Sequence, residues 1–145
     1  MRRILLAFVA GFLATLVFHQ LALWVLYAAG IAGRGPFDVK PVPPFGVPSV
    51  ISLAFWGGVW GIVMIPAIAR VKGPMYWIVA ILFGAILPTL VAAFVVAPLK
   101  GMKLPATPAN VATGLIVNGA WGLGTALIYR LLSGRSSLPV AGRSR

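Results

Sequence analysis

The sequence predicts an all-α fold: an integral membrane four-helix bundle, built as two tandem helix hairpins in parallel pseudo-repeat. Three observations predict it. Apolar residues make up 61% of the 145-residue chain and the mean hydropathy is +1.03, well above the roughly 45–50% apolar content of soluble domains. The apolar residues fall into four runs, each meeting the roughly 20-residue requirement for a helix that crosses the hydrocarbon core. Lys or Arg closes each run. The length suits one compact helical domain over residues 1–132, followed by a basic tail over residues 133–145.

The first span is expected over residues 4–29, after Met1-Arg2-Arg3. Its apolar run passes twenty residues, longer than the roughly 7–15 of a cleavable signal sequence, so it is expected to be retained. Trp24 and Tyr27 fall at its far end, as interfacial anchors do. The segment Gly33 to Pro48 contains Pro36, Pro41, Pro43, Pro44 and Pro48, which predicts extended polyproline-like backbone rather than helix or strand. Its Phe37 and Phe45 are expected to lie back on the membrane surface.

The second span is expected over 50–69, the third over 75–97 and the fourth over 109–132. Pro66 and Pro88 fall inside the second and third. Each removes a backbone donor and frees the carbonyl four residues earlier, at Ile62 and Gly84, which predicts local bends. Tyr76, Trp77 and Tyr129 lie at the ends opposite Trp24. The stretch from Ser133 to Arg145 is rich in Ser, Gly and Arg and is expected to be a disordered, solvated tail.

Charge sets the threading. With the N-terminus on the cytoplasmic side, the inner segments hold Arg2, Arg3, Arg70, Lys72, Arg130, Arg135, Arg143 and Arg145, while the outer loops hold Arg34, Lys40, Lys100 and Lys103. Eight against four favours both termini in the cytoplasm of a cell with an inner (plasma) membrane as its site.

The net charge of +11 arises because Asp38 is the single acidic residue, while twelve Lys and Arg are spread over helix ends and loops. That spread does not form the one-sided basic face of a nucleic-acid binder, so the expected partners are the bilayer and its anionic lipid headgroups. The chain has no Cys and one His. Thiolate chemistry and zinc–thiolate or iron–sulfur ligation are thereby excluded. No metal and no cofactor is expected, since bis-His haem ligation would require a symmetric dimer. No acid, base or nucleophile constellation points to an enzyme.

The two hairpins resemble each other. Ala10-Gly-Phe-Leu-Ala-Thr-Leu-Val17 and Gly84-Ala-Ile-Leu-Pro-Thr-Leu-Val91 share Leu-x-Thr-Leu-Val at an offset of 74, and Gly57-Gly-Val-Trp-Gly-Ile62 matches Asn118-Gly-Ala-Trp-Gly-Leu123 at an offset of 61. Hairpins that start on the same side would be related by an axis along the membrane normal. Residues four apart share a helix face, which gives stripes Ala7, Gly11, Thr15, His19 and Ala85, Thr89, Ala93, Ala97 on the first helix of each hairpin. The second helices carry Gly57, Gly61 and Gly114, Asn118, Gly122, Ala126. Small stripes let helix backbones approach closely in lipid.

A polar layer crosses the middle of the predicted bundle. His19 lies nine residues below Ala28, about 14 Å at 1.5 Å per residue, near the centre of a ~30 Å core. Trp60, Thr89, Asn118 and Trp121 fall at similar depth, with Gln20 and Thr15 beside His19. Intramembrane polar groups must be paired or functional. Two readings follow: an interhelical bond from His19 to Asn118 or to Thr15, or a site in which His19 carries a proton or anchors a ligand.

The segment Thr113-Gly-Leu-Ile-Val-Asn-Gly-Ala-Trp-Gly-Leu-Gly124 resembles a Gly/Val-Asn/Gly stretch of the small four-helix fluoride channels, over about a tenth of the chain. That resemblance implies an anion pore. The Thr- and Phe-rich break in the third helix of those channels has no counterpart between Met75 and Ala97. The chain as a whole resembles small bacterial inner-membrane proteins in its Phe-His-Gln and its Phe-Trp-Gly-Gly-Val-Trp-Gly, which implies location and helix count only. The expected function is a non-enzymatic polytopic protein packing through its small stripes as a homo-oligomer or accessory subunit. The alternative is a small transporter or channel centred on His19 and Asn118.

Overall fold

The computed structural model describes residues 1–99 and 107–134. Four helices dominate: α1 (Arg2–Ala28), α2 (Ser49–Ile68), α3 (Pro74–Leu99) and α4 (Pro108–Gly134). All four are long and apolar enough to cross a membrane. Their bounds fall within a few residues of the expected spans: Pro48 and Gly73 stand just before α2 and α3, and Gly30 follows α1. Gly30 and Gly73 take positive φ just beyond α1 and just before α3, a conformation other residues adopt only at a cost. The expected tail is helical as far as Gly134, and its remainder lies outside the described residues, as do Lys100 and Lys103.

α1 lies between α2 and α4, and α3 lies against α4. The α2–α3 seam is slight by comparison. The lateral order is therefore α2, α1, α4, α3, and α3 is the least covered: 17% of its most apolar window is buried, against 39% for the other three.

Two backbone crossings join α1 to α2 and α3 to α4. At the first, a Cβ placed on Gly61 would strike the carbonyl oxygen of Ala7 and come 3.2 Å from the Gly11 Cα. One placed on Gly57 would strike the Thr15 hydroxyl. At the second, a Cβ on Gly122 would strike the Ala80 oxygen and come 3.1 Å from the Gly84 Cα, and one on Gly84 would strike the Asn118 oxygen. In lipid, where apolar surface gains nothing by meeting apolar surface, such backbone proximity supplies the attraction. Phe8 fills the notch over Gly58 and Phe18 the notch over Gly124.

The stripe expected on the third span, Ala85, Thr89, Ala93 and Ala97, is displaced by one residue at the crossing, where Ala80 and Gly84 are buried and Ala85 only half-buried. Aligning identical letters put Thr89 level with Thr15. Packing instead puts Gly84 level with Gly11, because only a residue without Cβ lets α4 come this close.

The proline-rich loop also departs from expectation. Instead of polyproline backbone it forms a two-stranded ribbon, β1 (Pro41–Val42) antiparallel to β2 (Val47–Pro48), with Pro41 opposite Pro48. The Gly46 N–H donates to the Val42 oxygen at 3.0 Å, and Gly46 turns the chain at φ +66. The prolines tolerate a ladder because they stand at its end and edge, where their missing N–H is not needed. Phe37 and Phe45 are exposed.

Candidate functional site

The buried polar side chains of α1 and α4 gather around one irregular turn. Residues Thr15–His19 form a π turn within α1, and such turns recur at functional positions. Its extra residue widens the buried arc, so Ala14, Thr15, His19 and Gln20 all face inward. In regular α-helix, consecutive residues such as His19 and Gln20 diverge by about 100°. Here they are 6% and 2% exposed.

One carbonyl joins three helices. The Gly11 oxygen accepts the Thr15 hydroxyl at 2.9 Å and the Trp121 indole N–H at 3.0 Å, beside the backbone N–H of Thr15. Gly57 packs onto the same oxygen. Thus α2 supplies close contact and α4 a hydrogen bond at a single peptide of α1. Thr125 donates to the Trp121 oxygen at 2.9 Å within α4.

Gln20 ties the outer loop into the bundle. Its Oε1 accepts the Phe37 N–H at 2.8 Å, and its Nε2 faces the His19 Nδ1 at 3.4 Å. Because Oε1 is engaged by a donor, Nε2 must be the amide nitrogen and can only donate; Nδ1 then accepts, which puts the proton of neutral His19 on Nε2. Phe37 has φ +55, a left-handed backbone held where its N–H meets Gln20. The sequence placed Gln20 against lipid at depth, whereas the structure places it against the loop backbone.

The expected interhelical bond of His19 is not formed. Asn118 donates through Nδ2 to the Thr89 hydroxyl at 2.9 Å, because it occupies the α4 face that meets α3, not the face that meets α1. Thr15 is engaged with Gly11, four residues back, a common local bond for a helical hydroxyl. Trp60 packs edge-on against Phe83, centroids 6.2 Å apart, across the slight α2–α3 seam. Gly114 meets the Thr89 methyl, 3.2 Å from a Cβ placed on the glycine.

Several structural residues escaped sequence reasoning. Tyr76 donates from its hydroxyl to the Ala126 oxygen at 3.0 Å, and the Arg130 guanidinium lies 5.7 Å from the ring centroids of both Tyr76 and Trp77. This cation–π cluster clamps α3 to α4 at the basic end. An Arg beside aromatic residues at corresponding helix ends was its only signal.

Among the described residues no group of three or more His, Cys, Asp or Glu converges. Trp121, Asn118, Thr89 and Gln20 are paired by hydrogen bonds, and among the described residues the Thr113 hydroxyl is a buried side-chain oxygen without a partner. We expect Asn118→Leu and Thr89→Val each to destabilise the bundle by about 1 kcal/mol, with the double change costing less than the sum. Thermal unfolding of the four proteins in detergent checks this, and strict additivity would exclude the bond.

No family model matches the chain, and comparison with curated proteins and with solved structures gives no match either. What the fold defines is therefore a class: a helical bundle of four spans, each long and apolar enough to cross a bilayer.

Proposed function

We propose that this is a non-enzymatic polytopic membrane protein that acts by assembly, as a homo-oligomer or as the accessory subunit of a larger membrane complex. The observation that carries this reading is how the buried polar groups are used. Trp121, Gln20, Asn118 and Thr89 hold helices and loop to each other, as an assembly scaffold requires. Gly11, Gly57, Gly61 and Gly122 are likewise taken up by crossings within the chain. A partner would then meet the open face of α3, where Ile78, Leu82, Ile86 and Leu90 are exposed.

Two finer readings accompany this one. Both termini lie in the cytoplasm and the bilayer is the inner (plasma) membrane, on the charge bias of the loops. The hairpins descend from a duplication, a reading supported by the two like crossings, Gly11 with Gly57 and Gly61, and Gly84 with Asn118 and Gly122. The unequal α1–α4 and α2–α3 seams mark where the halves have diverged.

A transport role is the second reading, favoured by the His19 ring, whose Nε2–H has no partner among the described residues. One preparation separates the two. Extracted in mild detergent, the 15.2 kDa chain is expected to elute as a discrete assembly that survives His19→Leu. A monomer whose solute flux in vesicles depends on His19 would replace assembly with transport. In right-side-out vesicles, Phe45→Cys is expected to react with an impermeant maleimide and Lys72→Cys to be spared. The reverse would invert the threading.

A further inference from the structure

At the basic end, the first turn of α1 and the last turns of α4 enclose a pocket of about 210 Å³ lined by Arg2, Arg3, Leu6, Tyr129 and Ser133. Two arginines, a tyrosine and a serine thus line one pocket with a single apolar residue, Leu6, and the Ser133 hydroxyl donates to the Arg130 oxygen at 3.3 Å. The only acidic residue of the chain, Asp38, lies in the loop at the opposite end of α1, so the chain has no carboxylate side chain to neutralise these arginines. Their charge is left available to a negative group from outside the chain.

We infer that this pocket binds the phosphate of an anionic phospholipid headgroup, with Arg2 and Arg3 on its oxygens and the Tyr129 hydroxyl donating a further hydrogen bond. The inference rests on reading the four helices as membrane spans, not on the assembly role. Guanidinium forks match phosphate oxygens in pairs. Depth favours a lipid over free phosphate: Arg2 and Arg3 sit at the very start of a membrane-length helix, at the level of headgroups rather than bulk solvent. Fixed on α1 and α4, the two helices that meet at Gly11 and Trp121, a bound headgroup would brace the central pair of the bundle.

Native mass spectrometry of the detergent-purified full chain, titrated with phosphatidylglycerol, phosphatidylcholine or inorganic phosphate, tests the proposal. Wild type is expected to keep phosphatidylglycerol well above phosphatidylcholine. Arg2→Gln with Arg3→Gln should weaken the anionic lipid by about 25-fold, at about fivefold per guanidinium. Lys40→Gln, in the loop at the far end, should leave binding unchanged. Tyr129→Phe, which keeps the ring and removes only the hydroxyl, should weaken binding without unfolding and serves if the double variant does not fold. Equal retention of both lipids, or full retention by the arginine and Tyr129 variants, would overturn the site. Inorganic phosphate competing at the same concentration as phosphatidylglycerol would replace the lipid with a soluble anion. A chain that stays dispersed without detergent would instead overturn the membrane reading beneath it.

Discussion

Gly11→Ala is expected to loosen α1 from α2 and to cost about 1–3 kcal/mol, the range for forcing a methyl group into a filled interior. The added Cβ would strike the Gly57 carbonyl oxygen and lie 3.0 Å from its carbon and 3.1 Å from the Gly61 Cα. Those are backbone atoms, which have no rotamer to yield, so the helices must part. Separation would also strain the Trp121 bond to the Gly11 oxygen. Gly61→Leu should act in the same direction and more strongly, since its Cβ already collides with the Ala7 oxygen. Gly33→Ala is the control, because nothing lies within 4 Å of its Cβ and its φ is not positive; it should stay within about 0.5 kcal/mol of wild type. Unfolding in detergent reads all three, and equal midpoints for Gly11→Ala and Gly33→Ala would show that the crossing is not formed.

Trp121→Ala should destabilise further, by about 3 kcal/mol. In water a buried Trp→Ala costs about 3–5 kcal/mol through lost transfer energy plus a cavity. In lipid the transfer part largely falls away, because the unpacked side chain is already in an apolar medium, while the lost contacts and cavity remain. Trp121 is 3% exposed and donates its indole N–H to Gly11, so truncation also leaves the inter-helix link unmade. Trp121→Phe separates the two contributions: it keeps most of the ring volume and loses the hydrogen bond, for about 1 kcal/mol. The loss should appear as weaker association of the two hairpins, measured by the protease sensitivity of the α2–α3 connection. Wild-type sensitivity in both variants would mean that the indole bond does not join them.

The spans were legible in the sequence because continuous apolar runs leave few places for a helix to end. Partnering within each hairpin was legible too, since Gly57 and Gly61 on one helix call for a small face such as Ala7 and Gly11 on the other. What stayed hidden depends on departures from ideal geometry. The π turn at Thr15–His19 brings His19 and Gln20 inward together, and no residue letter announces it. The partner of Gln20 is a backbone N–H, that of Phe37, and backbone donors carry no sequence signal. Asn118 was assigned by depth alone, but depth does not say which neighbour a helix face meets. The Asn118–Thr89 pair followed only once α3 was placed beside α4 by Gly84 and Gly122.

Direct backbone and ring contacts wedge α1 between α2 and α4. The chain has no native Cys, so paired replacements report without background. A Cβ on Gly124 would lie 2.9 Å from the Phe18 Cβ, so the two helices need part by only about 0.6 Å to reach the ~3.5–4.5 Å that a disulfide bridges. Phe18→Cys with Gly124→Cys, oxidised in isolated membranes, is predicted to form an intramolecular cross-link between α1 and α4. Val17→Cys with Gly124→Cys should not, since Val17 is 54% exposed on another face of α1. Cross-linking of the Val17 pair with none in the Phe18 pair would contradict the packing of α1 against α4.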